Sequence, residues 1–139
     1  MMREYEIENV YMGRLAHGSD LIKSLTEIVK EKEIEAGKVT VIGAVKEAVI
    51  SFYDQEEEEY NDKKFTERME IVNCIGNISL KDGEPMIHAH IAFGDEEGNI
   101  FGGHLAEGTI VFAGEYIIEE YKGEAFTRSY DEVTGLPLW

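Results

Sequence analysis

Three of the chain's four histidines, His88, His90 and His104, lie within the stretch from Met86 to Leu105. His88 and His90 flank Ala89, so in an extended strand both imidazoles leave the same face. Gly94-Asp95-Glu96-Glu97-Gly98-Asn99 has the composition of a turn, and a hairpin there returns His104 beside the first two. Three imidazoles with a fourth position open is the donor pattern of a reactive zinc site. Imidazole binds metal only when neutral, so such a site loses its ion as pH falls well below about 6.5. The same spacing also describes two half-buried strand histidines bonded to the backbone, and spacing alone does not choose between these readings. Gly102-Gly103 would give the backbone freedom to turn His104 inward. Water, substrate or the Glu107 carboxylate are the candidates for the fourth position. Cys74 reads as a small core residue. His17 and Arg14 join the pocket if the first strand pairs nearby, with Arg14 then holding an anionic ligand; otherwise both are surface residues.

These side chains need strands to carry them. Tyr5 to Leu15 alternates loosely and reads as a first strand. Ser19 or Asp20 can cap a helix whose apolar stripe is Leu21, Ile22, Leu25, Ile28 and Val29, with Gly37 closing the unit. Lys38 to Tyr53 is β-branched and long for one strand, and Gly43-Ala44 suggests a bend or bulge within it. Asp54 to Glu59 reads as a solvated acidic loop. Further strands are expected over Lys63 to Glu70, Ile71 to Leu80, the histidine segment, Gly108 to Tyr121 and Ala125 to Asp131. Gly76 allows close backbone approach, and Lys81 to Pro85 is a turn. Trp139 is large enough to dock. The expected fold class is α+β: one domain over residues 1–139, a central, mostly antiparallel β-sheet, one main helix and short helical segments.

Composition limits the partners. The 139 residues can bury a core, and 43% hydrophobic and 10% aromatic residues are globular values. Against 29 acidic residues stand 13 basic ones, a net charge of −16 with no basic stripe. Nucleic-acid binders neutralise phosphates with Lys and Arg, so direct binding to DNA is disfavoured, as is an anionic membrane surface. No apolar run reaches the ~18 residues of a membrane span, and the first residues lack the apolar core of a signal peptide. A single cysteine excludes an internal disulfide, which makes the cytoplasm the expected location.

Gly83-Glu84-Pro85-Met86-Ile87-His88-Ala89-His90 followed by Gly98-Asn99-Ile100-Phe101-Gly102-Gly103-His104-Leu105 resembles the signature of the PPC (plants and prokaryotes conserved) domain, also called DUF296. Gly13-Arg14-Leu15 with Gly18-Ser19-Asp20-Leu21, Ile42-Gly43-Ala44, Gly76-Asn77-Ile78-Ser79 and Thr134-Gly135-Leu136-Pro137-Leu138 extend the resemblance along the whole chain. It implies a homotrimer of α+β subunits and a metal, zinc, held at the matching positions His88, His90 and His104. Acetolactate decarboxylase, a zinc lyase, is similar to this domain in fold, which bears only indirectly on function. In plants the domain follows a DNA-contacting AT-hook. That hook is absent here, as is the plant Gly-Arg-Phe-Glu-Ile-Leu motif, so the resemblance is to the prokaryotic stand-alone form.

Two expectations follow. In one, a trimeric metalloprotein binds or transforms a small anionic molecule. Any reaction would be that of a metal-dependent lyase or hydrolase, the ion polarising a carbonyl or activating water. In the other, the chain is an oligomerisation and protein-interaction module with an indirect relation to DNA.

Overall fold

The strand β2, Gly37–Asp54, is the element on which the others assemble. The computed structural model describes residues 1–139. In chain order they form β1 (Glu6–Leu15), α1 (Leu21–Glu31), β2, β3 (Glu59–Phe65), β4 (Met69–Lys81) and β5 (Glu84–Gly94). There follow β6 (Ile100–Leu105), β7 (Ile110–Lys122), β8 (Thr127–Tyr130) and β9 (Pro137–Leu138). The first half of β2 pairs antiparallel with β7 on one side and β4 on the other. Its second half pairs with β3 and β6. Because β4 also pairs with β5, and β5 with β6, the strands β2–β4–β5–β6 close into a ring. The bend that permits this is at Gly43, where φ is +141° and the β2–β4 register shifts. A side chain there would strike the Ala113 carbonyl, and that φ is strained for any other residue.

The helix covers one face of this sheet. Asp20 caps it, its Oδ1 accepting from the Lys23 amide at 3.1 Å, and the stripe Leu21, Leu25 and Val29 is fully buried. Each such side chain contributes roughly 1.5–3 kcal/mol of apolar burial. Opposite the stripe, Ile87, Ala89, Ile91 and Phe93 of β5 enter the same core. Since side chains alternate along a strand, His88 and His90 are thrown to the other face. The Asp20 carboxylate also accepts from the Gly108 amide at 2.7 Å, so the helix cap fixes the loop that leaves the histidine strand β6.

The α+β class and the mostly antiparallel sheet are as expected, the pairing of β4 with β8 being parallel. Four local expectations change. Gly37 opens β2 instead of closing the helical unit, which ends at Glu31. The stretch Lys63 to Glu70 is not one strand: β3 stops at Phe65 and β4 starts at Met69. The acidic run tightens into a turn over which Asp54 Oδ1 accepts from the Glu56 and Glu57 amides at 2.9 and 3.1 Å, and Glu59 already belongs to β3. No helical segment accompanies α1, because most connections are tight turns, Gly83 and Gly98 adopting positive φ. Trp139 docks, its ring stacked on Phe126 with centroids 5.0 Å apart. No helix is long and apolar enough to cross a membrane.

Candidate metal centre

The hairpin β5–β6 brings the three histidines together. Its turn is closed by Asp95, whose Oδ1 accepts from the Glu97 and Asn99 amides at 3.0 and 2.8 Å. The resulting register sets His90 directly opposite His104. Ring centroids are separated by 5.3 Å for His88–His90, 4.9 Å for His88–His104 and 5.6 Å for His90–His104. One nitrogen from each ring lies within 4.8 Å of the other two. A tetrahedral zinc ion with Zn–N bonds of 2.0–2.1 Å needs nitrogens about 3.4 Å apart, a closure that side-chain rotation can supply.

Of the four imidazoles only that of His17 hydrogen-bonds within the chain, to the Phe112 carbonyl at 2.7 Å. The clustered rings are thus not the backbone-bonded strand histidines that the spacing also allows. Burial pushes His88 down to about 4, with His104, Arg128 and His90 adding to the effect. Burial likewise lowers His104, as do His90 and Arg128, while Asp62 opposes them. Both rings are therefore neutral at pH 7, the state in which imidazole binds metal. Three convergent, unpaired nitrogen donors fit a divalent transition metal.

Residues distant in sequence complete the surroundings. Ser51 of β2 pairs with His104, and its hydroxyl donates to the Asp62 carboxylate. Tyr60 tilts against His104 with centroids 5.1 Å apart. A groove of about 610 Å³ reaches His104 past Ser51, Tyr60 and Lys23. A second, of about 450 Å³, reaches His88 and His90 past Lys38, Asn77 and Tyr121. Arg128, 6% exposed, is a buried cation whose charge reaches His88 and His104: it donates to Ser79 Oγ at 2.8 Å, Asn77 Oδ1 at 2.7 Å and the Pro137 carbonyl at 3.0 Å. Nothing local in the sequence marks it. Its position follows from the parallel pairing of β8 with β4, which sets Arg128 opposite Lys81.

The other candidates lie elsewhere or play different parts. Arg14 and His17 line a separate cavity with Phe112 and Glu115, because β1 pairs with β7 at the far side of β2. Glu107 shares the groove of His104, but its carboxylate pairs with Lys23 at 2.8 Å. Cys74 is fully buried, and burial pushes its thiol up to about 12, as befits a core residue. Gly102 and Gly103 do not turn His104 by positive φ. They let strands approach: a Cβ would lie 2.8 Å from the Ile91 carbonyl at Gly102 and 3.0 Å from that of Ser51 at Gly103.

The family pattern of the Plants and Prokaryotes Conserved (PCC) domain matches residues 2–122, and the chain belongs to this family. A metal-containing protein of Archaeoglobus fulgidus is similar at 42% identity and a TM-score of 0.95, over 100% of this chain and 98% of that one. A plant- and prokaryote-conserved protein of Pyrococcus horikoshii follows at 36% identity and 0.93, over 100% and 96%. A proposed DNA-binding protein of Bacteroides thetaiotaomicron is 33% identical with a TM-score of 0.88, over 97% and 94%. Among curated proteins, the bifunctional protein GlmU of Synechococcus sp. (strain JA-3-3Ab) is 31% identical over 91% of this chain. The chain spans only 19% of that relative's length.

Proposed function

We propose that this PCC-domain chain is a metalloprotein subunit in which His88, His90 and His104 hold one divalent transition-metal ion, zinc by its donor set, that binds or transforms a small anionic molecule. The observation that carries the reading is the approach of three ring nitrogens to within 4.8 Å with no hydrogen bond inside the chain. The similarity to a metal-containing archaeal protein supports it. Nitrogen donors without a thiolate or carboxylate suit zinc well. A bound ion would supply Lewis acidity beside the grooves that reach the histidines, in the manner of a lyase or hydrolase. The test is elemental analysis of untagged protein after incubation with zinc and removal of excess. We expect close to one equivalent per chain; less than a tenth of an equivalent would reject the reading.

Assembly is the second reading, and a specific row of residues favours it. Directly paired residues share a face of the sheet, and the pairs Met12–Ile117, Ile117–Thr40, Thr40–Ile75 and Ile75–His90 form one line across five strands. Met12 is 76%, Ile75 47% and Ile117 38% exposed. An exposed apolar row of this kind suits a protein interface, here the homotrimer, with the candidate metal centre at its edge. The charge of −16 continues to weigh against direct DNA binding.

A further inference from the structure

Arg128 is a buried cation without an anion, and its charge reaches His88 and His104. In a chain with 29 acidic residues and 13 basic ones, it forms no ion pair, although five such pairs form elsewhere. Its three acceptors, Ser79 Oγ, Asn77 Oδ1 and the Pro137 carbonyl, are all neutral. The Trp139 ring beneath it, 4.2 Å from the guanidinium carbon, holds its orientation and does not neutralise it. Burying a charge without a counter-charge is costly, and proteins pair such groups or use them. Guanidinium has five N–H donors. Three are engaged, which leaves one on each terminal nitrogen.

The place of this cation matters as much as its charge. Asn77, which accepts from Nη2, is directly opposite His88 in the β4–β5 ladder. Cross-strand partners stand about 4.5–5.5 Å apart at Cβ, so Arg128 is anchored on the neighbour of a candidate metal ligand. A dication on the three imidazoles would add to the positive field, and nothing in the chain's own contacts to Arg128 offsets it. A carboxylate offers two oxygens and one negative charge to a guanidinium fork, whereas a tetrahedral phosphate dianion asks for more donors than two.

We propose that Arg128 is the anion-anchoring half of a composite site, donating its two free N–H groups to a small carboxylate whose other polar atom contacts the ion held by His88, His90 and His104. This rests on the metal reading above. It assigns the anion-binding role to Arg128 of the C-terminal segment in place of Arg14.

Cobalt(II)-loaded protein, titrated at fixed ionic strength and followed by its visible absorption, separates the possibilities. Pyruvate probes the composite site, and thiocyanate probes the metal alone. Arg128→Gln should weaken pyruvate at least tenfold, leave thiocyanate within twofold and keep one cobalt per chain. Arg128→Lys should recover part of the loss. Pyruvate affinity within twofold of wild type in Arg128→Gln, or no pyruvate effect on the loaded wild type, would overturn the proposal and leave the metal reading standing. Failure of the wild type to take up cobalt would instead overturn the metal reading itself. Because Arg128 also fastens the tail, the variants could misfold. Crystals of the loaded wild type with pyruvate then decide: carboxylate on the guanidinium supports the proposal, and carboxylate on the metal alone contradicts it.

Discussion

His90 and His104 are direct partners in the β5–β6 ladder, with ring centroids 5.6 Å apart. Two consequences follow from this one pairing. It places His88 within reach of both, since His88 shares the face of His90. It also ties the candidate metal centre to the fold's closure, because β6 is the strand through which the ring returns to β2. Distortion of the Asp95 turn or of the Gly102-Gly103 approach would therefore disperse the donors without touching a histidine.

A bound ion should stabilise the fold through these side chains. Zinc held at a hundredfold excess over its dissociation constant adds about 2.7 kcal/mol to a protein that binds it only when folded. Thermal unfolding with and without zinc should show this gain in the wild type, and His104→Ala should abolish it. An equal zinc-induced shift in His104→Ala would place the ion elsewhere.

Acid should destabilise the metal-free protein over a defined window. The unfolded chain takes up a proton at His88 near 6.5, whereas the folded chain resists until about 4. More protons are bound by the unfolded state between these values, so the contribution of His88 to stability falls as pH drops from about 6.5 towards 4 and is level above. The lowered His104 acts in the same direction. Urea midpoints of the His88→Asn variant should be less pH-sensitive than those of the wild type across this window. Identical slopes would show that His88 is not protected from protonation.

Asp20 should matter beyond helix capping. Asp20→Ala removes the acceptor of the Lys23 amide and also that of Gly108. Loss of an N-cap alone costs about 0.5–2 kcal/mol, and the second bond places the expected loss in the upper half of that range. Urea denaturation measures it, and a loss under about 0.5 kcal/mol would mean that neither bond persists in solution.

The helix stripe is a plain packing test. Leu25 is fully buried, and Leu25→Ala should cost about 2–5 kcal/mol by chemical denaturation. Ile22, on the flank of the stripe and partly buried, should cost less on truncation.

Much of this was legible in the sequence because it is local. The stripe from Leu21 to Val29, the bend at Gly43, the Asp95 turn and the shared face of His88 and His90 each depend on residues a few positions apart. The same turn, at Gly94 to Asn99, implies the return of His104. What escaped the sequence depends on distant pairings. Arg128 reaches the site through β8 and the docked tail, and Tyr60 through a β3 strand hidden behind the acidic run. Arg14 reads as an anion binder in the sequence only through its nearness to His17; the order of β1, β7 and β2 carries both away from the three histidines. Gly102 and Gly103 suggest freedom of turning in the sequence, yet what they provide is room for neighbouring backbones.

The central claim is that His88, His90 and His104 hold one metal ion. Anomalous diffraction at the zinc edge, from crystals of untagged protein grown with one equivalent of zinc, tests it most directly. The account predicts one strong peak per chain at bonding distance, about 2.0–2.1 Å, from a nitrogen of each of the three rings. Zinc bound only at other residues, with the three imidazoles facing no peak, would contradict it.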